Sequence, residues 1–413
     1  MLVTTESTDL GFLLSVQIGH YAIPSNQLSV KLSTSIKVPY IAAEVRVKTG
    51  ESISDLSSFV VGQDALIGLT GGFNFEDVIE LPLSVTAVKV PVSDGLHTPN
   101  GEVVLRLVSR WAYQERALKS KSYPEVTNLE DVIRSEHADV GLAEALDIVE
   151  NMRELSKPKS IYRTQGVLDS MLHRILPWVR SEAGAPLFWY QTLKGNMRIQ
   201  SAAGMLEQSL RASLVPEYTE HPFDIDVDET YLFDGRSYQT NPSRTDLFRS
   251  VAHYVGADET VQTYEAIENV GGVPGKAVQR QRDLGYDELD IWYTGYRPLE
   301  QIQAHAAFLR RNHLFHQVHT LKFEDFEVAT TCVVGSRVKL FDLVPYIPED
   351  SIAPTEELAE SGMSSEYIVG SSHLYYDGIN DTGFRGSKLD LVKLAYTDEE
   401  LIDAPDAGAY VEV

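Results

Sequence analysis

Across residues 13–110 apolar and polar positions alternate in short runs: Val16 and Ile18, then Leu28, Val30 and Leu32, then Val45 and Val47, then a long run over 78–90. A period of two is the mark of a strand with one face buried, because successive side chains point to opposite sides of a sheet. Turn-forming residues separate the runs at Pro24-Ser25-Asn26, Lys48-Thr49-Gly50 and Ser93-Asp94-Gly95, and a last strand is predicted over 102–109.

After Trp111 the period lengthens. Asn128 and Gly141 each open a helical pattern. Leu142, Leu146, Val149 and Leu155 fall near one helix face with Glu144, Asp147, Glu150 and Glu154 elsewhere, and Pro158 stops that helix. A second helix is predicted from an N-cap at Thr164, with Val167, Met171, Ile175 and Val179 at steps of four and a bend or restart at Pro177. Leu187-Phe188-Trp189-Tyr190, a Lys194-Gly195-Asn196 turn and Met197-Arg198-Ile199 read as a hairpin. Between 202 and 297 the pattern yields only a helix at 246–255 and a loop at 271–275. Pro298 starts another helix through Leu299, Ile302, Ala306 and Leu309. Strands return at 318–323, 326–334, 338–341, 367–376 and 388–396, and from Asp398 the chain reads as an acidic tail. The expected class is α+β and β-rich.

The two β regions echo each other. Phe59-Val60-Val61-Gly62-Gln63-Asp64-Ala65-Leu66-Ile67 matches Cys332-Val333-Val334-Gly335-Ser336-Arg337-Val338-Lys339-Leu340 in its Val-Val-Gly step, two polar residues and alternating strand. A long strand and a Gly-led final strand follow each copy, the latter at Gly101 and at Gly386. Glycine permits the positive-φ turn or bulge by which a strand enters a closed sheet. The alternative is two unrelated sheets whose short motifs agree by chance. If the echo is a duplication, three copies of the chain present six similar units about an axis.

Composition bounds the reading further. A chain of 413 residues is long enough for two to four packed units. The single Cys332 can form no internal disulfide, the start MLVTTESTDL lacks the pattern of a secretion signal, and no apolar stretch approaches bilayer length, so cytoplasmic synthesis without membrane insertion is expected. Sixty acidic against 35 basic residues, a formal charge of -25, argue against a protein that reads nucleic-acid sequence.

With these residues in view, the chain resembles the baseplate hub proteins of contractile-tailed bacteriophages. The likeness rests on Val333-Val334-Gly335-Ser336-Arg337-Val338-Lys339-Leu340, on Glu366-Tyr367-Ile368-Val369-Gly370-Ser371-Ser372-His373 and on Lys388-Leu389-Asp390-Leu391-Val392, with the helix and aromatic hairpin of 164–201 as a second point of similarity. The resemblance implies two tail-tube-like antiparallel β-barrel domains, at 1–111 and 315–397, flanking an α/β insertion region at 112–314 with room for two subdomains, and an acidic tail at 398–413. It implies a homotrimeric collar in the virion's tail baseplate, joining the hexameric tail tube, or a distal tube-initiator protein, to the trimeric central spike, with baseplate wedge proteins as further partners. DNA would pass through the lumen without specific binding, and an inner wall on which acidic residues outnumber basic ones would limit retention. Another tail component, a distal tail or wedge protein, is an alternative.

The chemical motifs are poor by comparison. His305, His313, His316 and His319 are dense, but a change from helix to strand among them would aim the rings apart, and no thiol or carboxylate completes a metal shell. Asp224, Asp226, Asp228 and Glu229 begin like a calcium loop, yet Glu229 stands where Gly is needed and Gly235 where a bidentate Glu is needed. Those carboxylates leave a β-rich hydrolase as the rival reading. Asp381-Thr382-Gly383 has no second copy to make an aspartic protease dyad, and Gly275-Lys276 lacks the rest of a phosphate loop. Phe188, Trp189 and Tyr190 are read as packing between sheet and helix in preference to a sugar or base platform. No catalytic, cofactor or metal residue is assigned.

Overall fold

The structure, a computed structural model, describes residues 13–48, 58–70, 78–89, 101–114, 118–124, 127–154, 161–163, 166–182, 184–216, 230–233, 239–240, 248–255, 261–267, 287–294, 308, 311, 315–324, 326–340, 365–379, 384–394 and 410–412. The alternating runs form strands β1 (Leu13–Ile18), β2 (Tyr21–Ile23), β3 (Leu28–Ser35), β4 (Val38–Lys48), β5 (Asp64–Thr70), β6 (Val78–Lys89) and β7 (Glu102–Ser109). They pair antiparallel in the order β2-β1-β5-β6-β7-β4-β3. Every second side chain turns inward, so Val30 and Leu32, Val45 and Val47, Ile67 and Leu69, Leu81 and Leu83, and Leu105 and Leu107 make one core.

The insertion follows: α1 (Arg110–Gln114), β8 (Lys121–Tyr123), α2 (Leu129–Asp139), β9 (Leu146–Ile148), β10 (Met152–Glu154), β11 (Ile161–Arg163), α3 (Val167–Ser170), β12 (Val179–Ser181), β13 (Leu187–Gln191), β14 (Met197–Ser201) and α4 (Ala202–Glu207). Asn128 caps α2, its side chain accepting from the Glu130 amide at 2.7 Å. Gly141 closes this helix instead of opening the next. At φ +76 it sits just past the C-cap, its amide bonding to Ala138 and the Leu142 amide to His137, the pair of bonds that ends a helix on a left-handed residue. The helix expected through Leu146 and Val149 is absent for that reason: β9 joins β14 in parallel and β10 joins β12. The second helix is shorter than its spacing predicts. Gly166 occupies its N-cap, α3 passes into a wide turn at Met171–Ile175 and a tight one at Leu176–Trp178 containing Pro177, and Val179 is already in β12. Val167, Met171 and Ile175 are buried as expected. The expected β13–β14 hairpin forms, with the register Leu187↔Ser201 to Gln191↔Met197.

Beyond α4 come β15 (Ser213–Pro216), β16 (Thr230–Phe233), β17 (Gln239–Thr240), β18 (Phe248–Val255), β19 (Val261–Ile267) and β20 (Asp287–Thr294). Residues 248–255 form a strand, not the expected helix, because β18 pairs along its whole length with β20 on one side and from Arg249 onward with β19 on the other. The second unit is built from β21 (Phe315–Phe323), α5 (Glu327–Thr331), β22 (Arg337–Leu340), β23 (Ser365–Asp377) and β24 (Phe384–Leu394). The strand expected over 326–334 is replaced by α5, in which Val328 and Cys332, one turn apart and joined by a 2.7 Å backbone bond, bury one face. Cys332 is a wholly buried packing residue there, not part of a strand. The second unit also takes in strands from within the region read as insertion: β15 pairs β22 and β16 in parallel, and β17 pairs β21. In the segment read as an aperiodic tail, β25 (Tyr410–Glu412) pairs β19.

The echo is structural. Gly62 and Gly335 both have positive φ, +91 and +83. The Gly62 amide donates to the Val85 carbonyl and the Val85 amide to Gln63; the Gly335 amide donates to Val369 and the Val369 amide to Ser336. Each long strand then bulges at the same place, between Val85 and Ala87 and between Val369 and Ser371. The final strands match as Leu105-Arg106-Leu107 with Leu389-Asp390-Leu391, since Ala87↔Arg106 corresponds to Ser371↔Asp390. Gly101 and Gly386 are therefore one position out of step. Aligning them would turn the buried leucines to the wrong face. Both units share a 14-stranded sheet, joined where β23 lies against β3 from Ser371↔Ser35 to Asp377↔Ser29.

Candidate assembly surface

The face of this sheet opposite the first core is polar and runs unbroken across the junction. One row carries Tyr375, Lys31, Glu44 and Arg106, the next Asp377, Ser29, Arg46 and Val104. On β3, β4, β6, β7, β23 and β24 this face includes Lys31, Arg46, Lys48, Lys89, Arg106 and Lys388 against Glu44, Glu80, Glu102, Glu366, Asp377 and Asp390. Acidic side chains do not outnumber basic ones here, in contrast to a chain of charge -25.

Where β21, β23 and β24 meet, Asp390 gathers four groups. It accepts from Ser371 Oγ at 2.5 Å and Thr320 Oγ1 at 2.9 Å, pairs with Lys388 Nζ at 3.1 Å and lies 3.2 Å from His373 Nε2. Burial alone would raise this carboxyl, but the hydrogen bonds from His373, Ser371, Thr320 and Lys388 outweigh it and hold the group well below the usual carboxylate range. The trio of Ser, His and Asp is not a nucleophilic triad. One imidazole nitrogen, Nε2, faces both Ser371 and Asp390, and Ser371 hydrogen-bonds the carboxylate directly, whereas a triad uses both nitrogens in relay. The arrangement pins the bulged strand to its neighbours.

The insertion is fastened to the first unit by Gln191 at the end of β13. Its Oε1 accepts from Ser109 Oγ at 2.5 Å and Trp111 Nε1 at 3.3 Å, its Nε2 donates to Gly195 at 2.9 Å, and its carbonyl accepts from Thr34 Oγ1 at 2.7 Å. The hairpin aromatics are core. Trp189 packs on Trp111 at 5.4 Å between ring centroids and donates from Nε1 to His137 Nε2 at 2.9 Å; Phe188 and Tyr190 face Ile368 and Val392 of the second unit. His137 Nδ1 lies 2.7 Å from the Ile133 carbonyl, so Nε2 is free of a proton and accepts. Burial holds this histidine neutral, its pKa pushed down to about 4. Beneath it Arg163 bonds Glu136 at 3.1 Å and Asp139 at 3.0 Å, while Tyr123 donates to Glu136 at 2.5 Å. Burial and then Glu136 push the Tyr123 hydroxyl up.

Of the motifs weighed for chemistry, Asp224, Asp226, Asp228, Glu229, Gly275-Lys276, Asp381-Thr382-Gly383, His305 and His313 lie outside the described residues. His319 is buried, 3.0 Å from the Tyr367 hydroxyl. Among the described residues no group of three His, Cys, Asp or Glu is placed to hold a metal ion, and no helix is long and apolar enough to cross a membrane. Neither the polar face nor Gln191 was visible as a site in the sequence, because both depend on strands far apart in the chain.

Solved structures share this architecture. The tail protein from Neisseria meningitidis MC58 superposes with a TM-score of 0.52 at 10% identity, over 96% of this chain and 99% of that one. The chain has a tail-protein fold. The 43 kDa tail protein of prophage MuSo2 from Shewanella oneidensis agrees, with a TM-score of 0.51 at 11% identity over 96% and 99% of the two chains. No protein-family model matches the sequence, and no curated protein does. The resemblance to baseplate hub proteins holds at the level of this tail-protein fold, which is β-rich and centred on one large curved sheet.

Proposed function

We propose that three copies of this chain form the hub of a contractile-tail baseplate in the virion, a collar that joins the sixfold tail tube or its initiator to a threefold central spike and meets the wedge proteins around it. The observation that carries this reading is the repeated unit. Two copies of one turn, strand and bulge in a single sheet allow a threefold object to present six like edges to a sixfold partner. The division into tube-like units at 1–111 and 315–397, an insertion at 112–314 and a tail at 398–413 belongs to the same proposal.

The role is geometric, without catalysis, and rests on interfaces large enough for an obligate assembly, above about 2,000 Å². The polar face that crosses the junction is the inner wall past which DNA moves. Its charges alternate in sign instead of being mainly acidic, and opposite charges such as Glu44 and Arg106 stand directly across from one another. Arg46 is paired with Glu44 and Lys388 with Asp390, which withdraws those two cations from phosphates and limits retention without an acidic excess. Mass measurement on the purified chain, alone and mixed with a candidate trimeric spike protein, tests the reading. Three copies per assembly support it, and a 46.0 kDa monomer under both conditions refutes it.

A further inference from the structure

The Val-Val-Gly turns of the two units have one geometry and two settings. Gln63 donates its amide to the Val60 carbonyl at 3.3 Å as Ser336 does to Val333 at 3.0 Å, and a Cβ on Gly62 would meet the Tyr113 hydroxyl as one on Gly335 would meet that of Tyr190. Their valines differ. Val333 and Val334 are 7% and 0% exposed, whereas Val60 and Val61, at the same positions, are 54% and 55% exposed. The final strands repeat the contrast. Ser84↔Val108 corresponds to Ile368↔Val392, and Val392 is buried while Val108 is only half-buried.

The cover on the second turn shows what the first one lacks. Val334 shares a core with Ile368 and Val392 of its own unit, with Phe188 and Tyr190 of the insertion, and with Ile36. Ile36 belongs to the other unit: it lies in the turn between β3 and β4, is 3% exposed and donates its amide to the Gly370 carbonyl at 3.0 Å. The second turn therefore has two covers, a tyrosine and an apolar side chain from the adjacent unit. In the first unit Tyr113 of α1 takes the place of Tyr190. Among the described residues none takes the place of Ile36, and Val60 and Val61 are left bare.

We infer that the Val60-Val61 turn is where a second copy of this chain docks, the second unit of one copy covering the first unit of the next as the first covers the second within each chain. Inside the chain this cover comes from an adjacent unit, and a ring of six units calls for the same contact between copies. The turn is also built to dock. Phe59 is buried in the first core, the Val60 amide donates to Gln63 Oε1 at 3.3 Å and the Gly62 amide donates to Val85, so both valines are displayed on a fixed frame and little order is lost on contact. The inference rests on the hub reading and names one surface through which its copies meet.

A chain carrying Val60→Asp and Val61→Asp puts two charges where the contact forms and leaves the core and the backbone bonds of the turn in place. Expected by native mass are a trimer for the wild-type chain, alone or mixed with a candidate trimeric spike protein, and a 46.0 kDa monomer for the double variant, with circular dichroism unchanged. The concentration at half-assembly should rise by about 100-fold or more. A double variant that assembles like the wild type overturns the inference and spares the hub reading; a wild-type chain that is monomeric under both conditions overturns both. Should the double variant fail to fold, cross-linking decides. Val61→Cys labelled with benzophenone maleimide, mixed with an excess of wild-type chain and illuminated, should give a band of twice the chain's mass on a denaturing gel. Cys332 is buried and does not compete for the label. Cross-links to the spike protein alone, or none in a sample that is trimeric by mass, overturn the inference.

Discussion

Replacing Gly335 by alanine probes the joint where the second unit's turn meets the hairpin of the insertion. Gly335 holds φ +83, and a Cβ there would overlap the Tyr190 hydroxyl and stand 2.8 Å from its Cζ. Tyr190 is fully buried and its hydroxyl donates to Gln200 at 3.1 Å, so the ring has no space into which to retreat. Two costs combine: about 1–2 kcal/mol for a left-handed non-glycine residue and about 1–3 kcal/mol for overpacking a filled core. Gly141, at φ +76 with nothing within 4 Å of the added carbon, carries only the first. Gly62, at φ +91, would bring its Cβ to 3.0 Å from the Tyr113 hydroxyl, a tight contact that a flexible ring end can relieve. Urea denaturation of the three variants should rank their losses G335A, then G62A, then G141A, with G335A about 2–5 kcal/mol below the parent. If G335A and G141A agree within about 0.5 kcal/mol, Tyr190 does not abut this turn and the packing argument fails.

Two other outcomes follow from the buried polar groups. Between the unfolded value of 6.5 and the folded value of about 4, the unfolded chain binds a proton on His137 that the folded chain refuses, so stability is full above this window and falls as pH drops through it. The loss amounts to about 3 kcal/mol, read as a falling urea midpoint, and His137→Gln should flatten that part of the curve; an unchanged pH slope would show that the histidine is not held neutral. Gln191→Leu strips the acceptor from Ser109 and Trp111 and should cost about 2–5 kcal/mol, whereas a loss under about 0.5 kcal/mol would mean that Gln191 does not fasten the hairpin.

The first unit was largely legible, because one face of each strand is buried and the period of two is clean from Val16 to Leu107. Val-Val-Gly was legible for a related reason: a positive φ selects glycine, and selection leaves a mark in sequence at Gly62 and Gly335. Elsewhere local pattern misled. Leu142 and Leu146 have helical spacing, but the Gly141 cap and the pairing of Leu146–Ile148 with β14 decide the outcome. Val328 and Cys332 fit a strand or a helical turn equally well until the core is known. Residues 248–255 are strand because of partners at 261–267 and 287–294, which no short window contains. The polar face and the buried Gln191 joint are invisible in sequence, since Tyr375 joins Lys31 and Glu44 only through the pairing of β23 with β3, strands more than 300 residues apart. Net charge was a poor guide to this face. The bulk value averages over the whole chain, and the local face does not share its sign.

In the proposed assembly one duplicated sheet unit lets three chains mate with a sixfold tube. Electron cryomicroscopy of the chain mixed with a candidate trimeric spike protein, viewed down the axis, decides between the two arrangements. Expected are three chains contributing six similar sheet units around one channel, with the face bearing Lys31, Glu44 and Arg106 turned toward that channel. A ring in which the units of 1–111 and 315–397 occupy unlike positions, or in which that face points outward, would contradict it.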